Sequence, residues 1–194
     1  KSNIGYLALG GMEASVLEDT ENVNTETRAG GVDINKFDVT ITNTSDEVVK
    51  SFKYGARPTD AIELEAGVYT IAMSSTAMAG AEWETPVYGA EREVIITRKQ
   101  TTVVNDIVCK LRNIKVSVAY SADIKAQLDP EYTTMTVALA DSSLEYKFEE
   151  ERAGYFAPVA EENTLQLTFK CRYVDSDKDI IMTNEITGVK AAQW

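Results

Sequence analysis

The sequence contains no histidine and only two cysteines among its 194 residues. Histidine is the commonest general base and metal ligand, so its absence excludes Ser-His-Asp and Cys-His catalytic sites and zinc sites with imidazole ligands. Two cysteines are too few for a disulfide scaffold. Cys109 and Cys171 share strand parity with apolar neighbours. We therefore expect two buried thiols in preference to a single bridge.

The chain also lacks an excess of basic residues and any long apolar run. Its 31 acidic residues outnumber 19 basic ones and give a net charge of −12. This balance argues against a nucleic-acid surface and against a polybasic patch for anionic lipid. No stretch approaches the roughly 18 consecutive apolar residues of a membrane span. The sequence begins at Lys1 without the apolar core of a signal peptide, which says nothing about export.

No motif for catalysis stands out. Gly10 and Gly11 lack the following helix and lysine of a phosphate-binding loop. Carboxylate pairs for glycoside hydrolysis stay open, because spacing in sequence does not determine spacing in space. The runs at 149–151 and 161–162 are nevertheless typical of solvated loop charges. We predict that the protein is not an enzyme and needs no cofactor.

Three alternating aspartates form the best metal candidate. Asp175, Asp177 and Asp179 match the start of a calcium loop, in which hard carboxylate oxygens converge on the ion. The match then fails, because Ile180 stands where the loop needs glycine and Ile186 where it needs a bidentate glutamate. A hairpin turn with solvated charges is the preferred interpretation, and no metal site is predicted.

Alternation of apolar and polar residues is the strongest pattern in the chain. It predicts strands at 37–42, 48–54, 62–65 and 68–73, and again at 135–139, 144–148 and 165–173. A short helix is predicted at 121–129, with Ser121 as N-cap and Pro130 closing it. The fold class is therefore all-β. We expect two antiparallel β-sandwich domains of immunoglobulin or transthyretin-like type, 1–111 and 112–194, with the short helix in the second.

Two aromatic residues are candidate ligand-binding positions. Residues 74–93 read as a loop that carries Trp83 and Tyr88. Exposed aromatic faces can stack on pyranose rings, so these two rings could bind a carbohydrate. The alternative, which we prefer, is that both rings fold back onto the protein.

Six different short motifs are spread along the chain from one end to the other. They are IGYLAL at 4–9, FDVTI at 37–41, LEAGVYT at 64–70, PVYG at 86–89, VCKL at 108–111 and GVKAAQW at 188–194. On these motifs the sequence resembles a family of cell-surface lipoproteins of Bacteroidetes of the cell-adhesion or fimbrillin-like type. That family usually continues past the tryptophan into another strand, whereas this chain ends at Trp194.

The resemblance implies an exported outer-membrane lipoprotein on the cell surface, held by an N-terminal lipid anchor that is absent from this chain. It implies no catalytic residues. Its expected partners are other surface or fimbrial subunits, or host and glycan ligands. The leading hypothesis is an adhesion or fimbrial-type subunit, and the alternative is a carbohydrate-binding module. Because such subunits assemble by strand addition, we expect an unpaired sheet edge beside the first or last strand.

Overall fold

The structure, a computed structural model, describes residues 3–18, 27–28 and 32–192. These residues form four β-sheets with very little helix, which confirms the all-β prediction. Trp194, after which the family usually adds a strand, lies outside the described residues. In chain order the strands are β1 (Ile4–Ala8), β2 (Glu13–Glu18), β3 (Thr27–Arg28), β4 (Asp38–Asn43), β5 (Val48–Lys53), β6 (Ile62–Glu65), β7 (Gly67–Ser74), β8 (Ala81–Trp83), β9 (Tyr88–Ile96), β10 (Thr101–Val103), β11 (Asp106–Leu111), β12 (Ile114–Val116), β13 (Thr134–Leu139), β14 (Ser142–Lys147), β15 (Gly154–Phe156), β16 (Asn163–Cys171) and β17 (Ile180–Val189).

The described residues group into two compact units. The first holds 3–18, 27–28, 32–77 and 87–111, and the second holds 78–86 and 112–192. Residues 78–86, which the sequence placed in an N-terminal domain, therefore belong to the second unit. The reason is β8, which pairs with β15 of that unit. The prediction of a loop at 74–93 is therefore wrong, because this range contains the end of β7, all of β8 and the start of β9.

The first unit contains a three-stranded and a seven-stranded sheet. The orders are β10-β1-β6 and β3-β2-β11-β9-β7-β4-β5. The predicted hairpin is the antiparallel pair β4–β5, and β7 lies on the other side of β4. β6 leaves this sheet and pairs with β1 instead. The first strand is thus the central strand of its sheet.

Alternating apolar residues of β4 and β7 form part of the core of the first unit. Val39 and Ile41 of β4 and Ile71 of β7 are fully buried, and burial of each such side chain stabilises a fold by about 1.5–3 kcal/mol. The Tyr69 hydroxyl donates to the carbonyl oxygen of Glu65 at 3.0 Å, as the turn there requires. Gly67, the first residue of β7, does not adopt a positive φ.

The second unit contains the sheets β12-β15-β8 and β14-β13-β16-β17. The predicted hairpin at 135–148 is β13–β14, and β16 and β17 form a further antiparallel pair. The core residues of this unit come from both sheets: Ile114, Val137, Leu139, Tyr146, Phe156 and Leu165. Asp175, Asp177 and Asp179 lie in the connection between β16 and β17.

The short helix is shorter than its sequence pattern indicated. Helix α1 spans Ala122–Lys125, and the Ser121 side chain makes no capping hydrogen bond. Beyond it the backbone turns to meet β16: Leu128 bridges Tyr173, and Asp129 donates its N–H to Arg172. These strand-like pairings use the groups that a longer helix would have bonded internally. Three short 3-10 helices complete the described elements: Ile34–Lys36, Tyr54–Ala56 and Pro130–Tyr132.

Candidate functional site

Strand β17 is the longest edge strand of the described chain. Eight described strands lie at a sheet edge, and β17 has ten residues whereas the others have six or fewer. Within the described residues it pairs with β16 and with no strand on its outer side. An edge strand presents a row of backbone N–H and C=O groups that can pair with another chain. The open edge expected beside the first or last strand is therefore found at the last strand, whereas β1 is the central strand of its sheet.

β17 carries few of the features that usually protect a sheet edge. Lysine, proline and bulges block edge-to-edge pairing, and β5 carries Lys50, Lys53 and a register shift. β17 contains neither lysine nor proline, and Glu185 is its only charged residue. Because β5 carries two lysines and a register shift, whereas the one register shift of β17 lies close to its end, β17 is the better candidate for pairing with a partner.

The irregular part of β17 is confined to one end. The register with β16 shifts between Ile186 and Val189, where β17 has one extra residue and Gly188 adopts a φ of +72°. Glycine takes this left-handed conformation at little cost, which is why it suits a bulge. From Ile180 to Ile186 the pairing with β16 is continuous. We call this regular stretch, residues 180–186, the β17 edge.

Apolar side chains of the β17 edge are exposed on the face that β16 turns inward. Paired residues of neighbouring strands share a face, so Met182 opposite Phe169 and Ile186 opposite Leu165 belong to the core face. Leu165 is buried, yet Met182 is 53% and Ile186 48% exposed. On the other face Ile181 is 64% exposed. An uncovered apolar strip thus runs beside unpaired backbone.

An apolar cavity of about 170 Å³ lies at the Ile180 end of this strip. Its walls include α1 and the ends of β16 and β17. Burial raises the pKa of the Cys171 thiol in its wall, so this cysteine stays a neutral thiol. A cavity of about 150 Å³ can take in a benzene ring, and this one is of similar size. The lining residues are Ile124, Gln127, Leu128, Phe169, Cys171, Tyr173, Ile180 and Met182.

The structure separates the two aromatic candidates. Tyr88 lies in β9 of the first unit and is 3% exposed, so its ring has no face to offer a sugar. Trp83 lies in β8 of the second unit and is half-buried. The burial of Tyr88 agrees with the alternative that its ring folds back onto the protein. Carbohydrate binding through Trp83 stays a prediction.

Trp83 is already in contact with two side chains of its own unit. Its ring meets that of Tyr146 edge-on at 4.7 Å between centroids, and the Arg152 guanidinium lies 4.5 Å from its centroid. Arg152 is held in place by Glu150 through hydrogen bonds of 2.8 and 2.9 Å. These bonds lower the pKa of Glu150 to about 2. Arg152 and Tyr146 thus occupy ring surface that a sugar would use.

One of the three aspartates, Asp179, is held by basic residues. Arg172 donates to Asp179 from Nε at 2.9 Å and from Nη2 at 2.7 Å, and Lys170 lies 3.5 Å away. The hydrogen bonds from Arg172 lower the pKa of Asp179. Across residues 3–18, 27–28 and 32–192, no group of three or more acidic or cysteine side chains is arranged to hold a metal ion.

Calcium titration should give no binding heat with this protein. Asp179 forms ion pairs with Arg172 and Lys170. The other two carboxylates, those of Asp175 and Asp177, are exposed and supply fewer oxygens than the six to eight that calcium takes. Isothermal titration calorimetry of the wild type and of Asp177→Ala should therefore give identical traces. A binding heat that Asp177→Ala abolishes would contradict this prediction.

Sequence reasoning did not single out the residues of the β17 edge. A signal was present, because Ile180, Ile181 and Met182 are three consecutive apolar residues that break the alternation. Such a run on a strand must expose apolar side chains on one face or be buried on both. Which of the two applies depends on the neighbours of the strand, and these are not written in the run itself.

Several solved structures from Bacteroides are similar to this chain. A candidate adhesin from Bacteroides ovatus is 11% identical at a TM-score of 0.48, over 89% of this chain and 74% of that one. A second, from Bacteroides ovatus ATCC 8483, is 7% identical at 0.44, over 96% and 83%. Candidate polysaccharide-binding proteins (DUF1812) from Bacteroides thetaiotaomicron VPI-5482 are 9% identical at 0.43, over 91% and 78%. At these identities and TM-scores the similarities say nothing by themselves about what this chain binds.

No curated protein has a sequence that matches this chain. Among the described residues no helix is both long enough and apolar enough to cross a membrane. A family profile, described as a domain of unknown function (DUF4493), matches residues 4–194. Because this match covers almost the whole sequence, the chain belongs to the DUF4493 family.

Proposed function

We propose that the protein is a non-catalytic cell-surface subunit of the adhesion or fimbrial type, which binds a partner by strand addition at the β17 edge. The observation that carries the proposal is a ten-residue edge strand that lacks lysine and proline, pairs regularly over residues 180–186 and exposes apolar side chains on both faces. The proposal includes two β-sandwich domains that divide the chain at 111/112, with residues 78–86 in the second, and export as a lipoprotein of the outer membrane with an N-terminal anchor.

Strand addition uses the two kinds of group that the β17 edge offers. The backbone groups on its outer side can hydrogen-bond with an extended segment of a partner, which supplies affinity. Alternate side chains of that segment would contact Met182 and Ile186 on one face and Ile181 on the other, which supplies specificity. A partner with apolar residues at alternate positions is therefore favoured over a uniformly polar one.

The non-catalytic part of the proposal is supported by the available chemistry. The sequence has no histidine to act as general base. Among the residues that the structure describes, two carboxyl groups have a clearly lowered pKa, those of Glu150 and Asp179, and each is hydrogen-bonded to an arginine. Paired carboxylates of this kind are stable charges, not acids or bases poised near neutral pH.

The experiment is a binding assay on an array of ten-residue peptides. The peptides should vary in sequence, alternate apolar and polar residues, and include IIMTNEITGV, which copies 180–189. We expect the labelled protein to bind a subset of them and Met182→Lys to weaken that binding at least tenfold, because a lysine on an edge strand opposes pairing. Thermal unfolding should confirm that Met182→Lys is folded.

Val103→Lys is the matched control. Val103 is 57% exposed on β10, another edge strand, so it receives the same charge in a comparable environment. We expect this variant to bind peptides as the wild type does. Absence of peptide binding, or equal loss in both variants, would overturn the proposed function.

A further inference from the structure

We propose that the β17 edge pairs with the β17 edge of a second copy of this chain, antiparallel and with a two-fold axis through Asn184. This inference rests on the proposed function, because it names the partner strand that the same edge accepts. It follows from the order of side chains along β17 and from which of them are exposed. The chain itself supplies a strand that meets the requirement for alternating apolar residues.

The axis through Asn184 matches apolar residues with apolar residues. Antiparallel pairing about this axis places Met182 of one copy opposite Ile186 of the other, and this contact occurs twice. Both residues lie on the core face of the sheet and both are about half exposed in the single chain. Directly opposed side chains on a shared face are the contacts that stabilise a sheet. Dimerisation would cover apolar surface that the chain alone leaves in water.

The same axis also accommodates the polar residues. Glu185, the only charge on the strand, comes to lie opposite Thr183 and not opposite the Glu185 of the second copy. Asn184 meets its own counterpart, and a carboxamide can both donate and accept. In the single chain Asn184 Oδ1 accepts the N–H of Glu185 at 2.8 Å. That bond can be exchanged for one to the second copy.

The two neighbouring registers place less favourable pairs of side chains opposite one another. An axis through Thr183 would place Met182 opposite Asn184 and Ile181 opposite Glu185, so that apolar residues meet polar ones. An axis through Glu185 would place two carboxylates opposite one another, and opposed like charges destabilise a sheet. The bulge at Gly188 ends regular pairing beyond Ile186. The register through Asn184 is therefore the one that the side chains favour.

Cysteine trapping tests this register directly. Under mild oxidation Asn184→Cys should form a disulfide-linked dimer, because residues on the axis face each other. Met182→Cys alone and Ile186→Cys alone should not, since identical positions would be roughly 14 Å apart at about 3.4 Å per residue, beyond the reach of a disulfide. A mixture of these two variants should form the cross-linked heterodimer.

Two controls and one contrary outcome complete the experiment. Wild type should not cross-link, because Cys109 and Cys171 are buried. Val103→Cys places a thiol at an exposed position of another edge strand and measures chance collisions. We expect Asn184→Cys to cross-link at least tenfold faster than Val103→Cys. Equal rates, or faster cross-linking of Thr183→Cys than of Asn184→Cys, would overturn the proposal.

The two proposals fail in different ways. If array peptides bind at the β17 edge but Asn184→Cys does not cross-link, the second copy is not the partner and the proposed function stands. If neither peptides nor a second copy bind, both proposals fall. If the cross-link forms in the predicted register, the peptide that copies 180–189 should compete with it, and failure to compete would count against strand pairing as its cause.

Discussion

Replacing Gly5 with alanine is expected to lower the free energy of unfolding of the first unit by about 1–3 kcal/mol, the usual cost of overpacking. Gly5 lies in β1, opposite Leu64. An added Cβ would collide with the carbonyl oxygen of Thr97 and approach Ile96 Cγ2 to 2.7 Å. The carbonyl is backbone and Ile96 is buried, so neither can move aside without displacing its strand. Chemical denaturation followed by circular dichroism measures the change.

Gly11 provides the control for this prediction. It lies only six positions along the chain, and an added Cβ there would meet nothing within 4 Å. Gly11→Ala should therefore change stability by no more than about 0.5 kcal/mol. If Gly5→Ala proves no more destabilising than Gly11→Ala, the close approach of β1 to Thr97 is not a feature of the folded protein.

Truncating Tyr146 to alanine should lower the free energy of unfolding of the second unit by about 3–5 kcal/mol, the range for removal of a large buried aromatic side chain. Tyr146 is fully buried, and its ring packs against Trp83. Its hydroxyl donates to the carbonyl oxygen of Val116 at 3.1 Å. Thermal and denaturant unfolding measure the loss.

Two further variants separate the contributions of Tyr146. Tyr146→Phe keeps the ring and loses the hydrogen bond, and should cost about 1 kcal/mol. Tyr173→Ala removes a tyrosine that is 48% exposed in the same unit and should cost far less than Tyr146→Ala. A cost for Tyr146→Ala no greater than that for Tyr173→Ala would contradict the position of Tyr146 in the core.

Burial also makes the Tyr146 contribution depend on pH. Desolvation raises the pKa of the Tyr146 hydroxyl above its usual value, so the folded state holds the neutral form. In the unfolded chain a tyrosine hydroxyl ionises at about pH 10. The stability that this group contributes is therefore complete below that pH and is lost as the pH rises further.

The strands with clear alternation could be predicted because a half-buried strand repeats every two residues in sequence. This is why the hairpins at 37–54 and 135–148 could be predicted. The same reasoning failed for β8, which has three residues and is too short to show a period. The predicted helix at 121–129 was too long for another reason. Leu128 pairs with Tyr173, which lies 45 positions later in the chain.

The candidate site was less predictable than the fold. The alternation at 165–173 predicted that every second side chain, five in all, points inward. Leu165 and Cys171 are indeed buried. Tyr173, just past the end of β16, is 48% exposed. The sequence likewise did not show that Tyr88 and Trp83 lie in strands of different units. A period of two identifies the face of a strand but not whether another element covers that face.

The all-β class, the absence of histidine chemistry and the position of the main hairpins could all be inferred from the amino-acid sequence. These follow from composition and from local periodicity, which involve only residues close together in the chain. The tertiary structure alone decided that β1 is central, that β17 is an edge and that Met182 and Ile186 stay exposed. Edges and coverage depend on which distant strands pair, and that is settled by the packing of the whole unit.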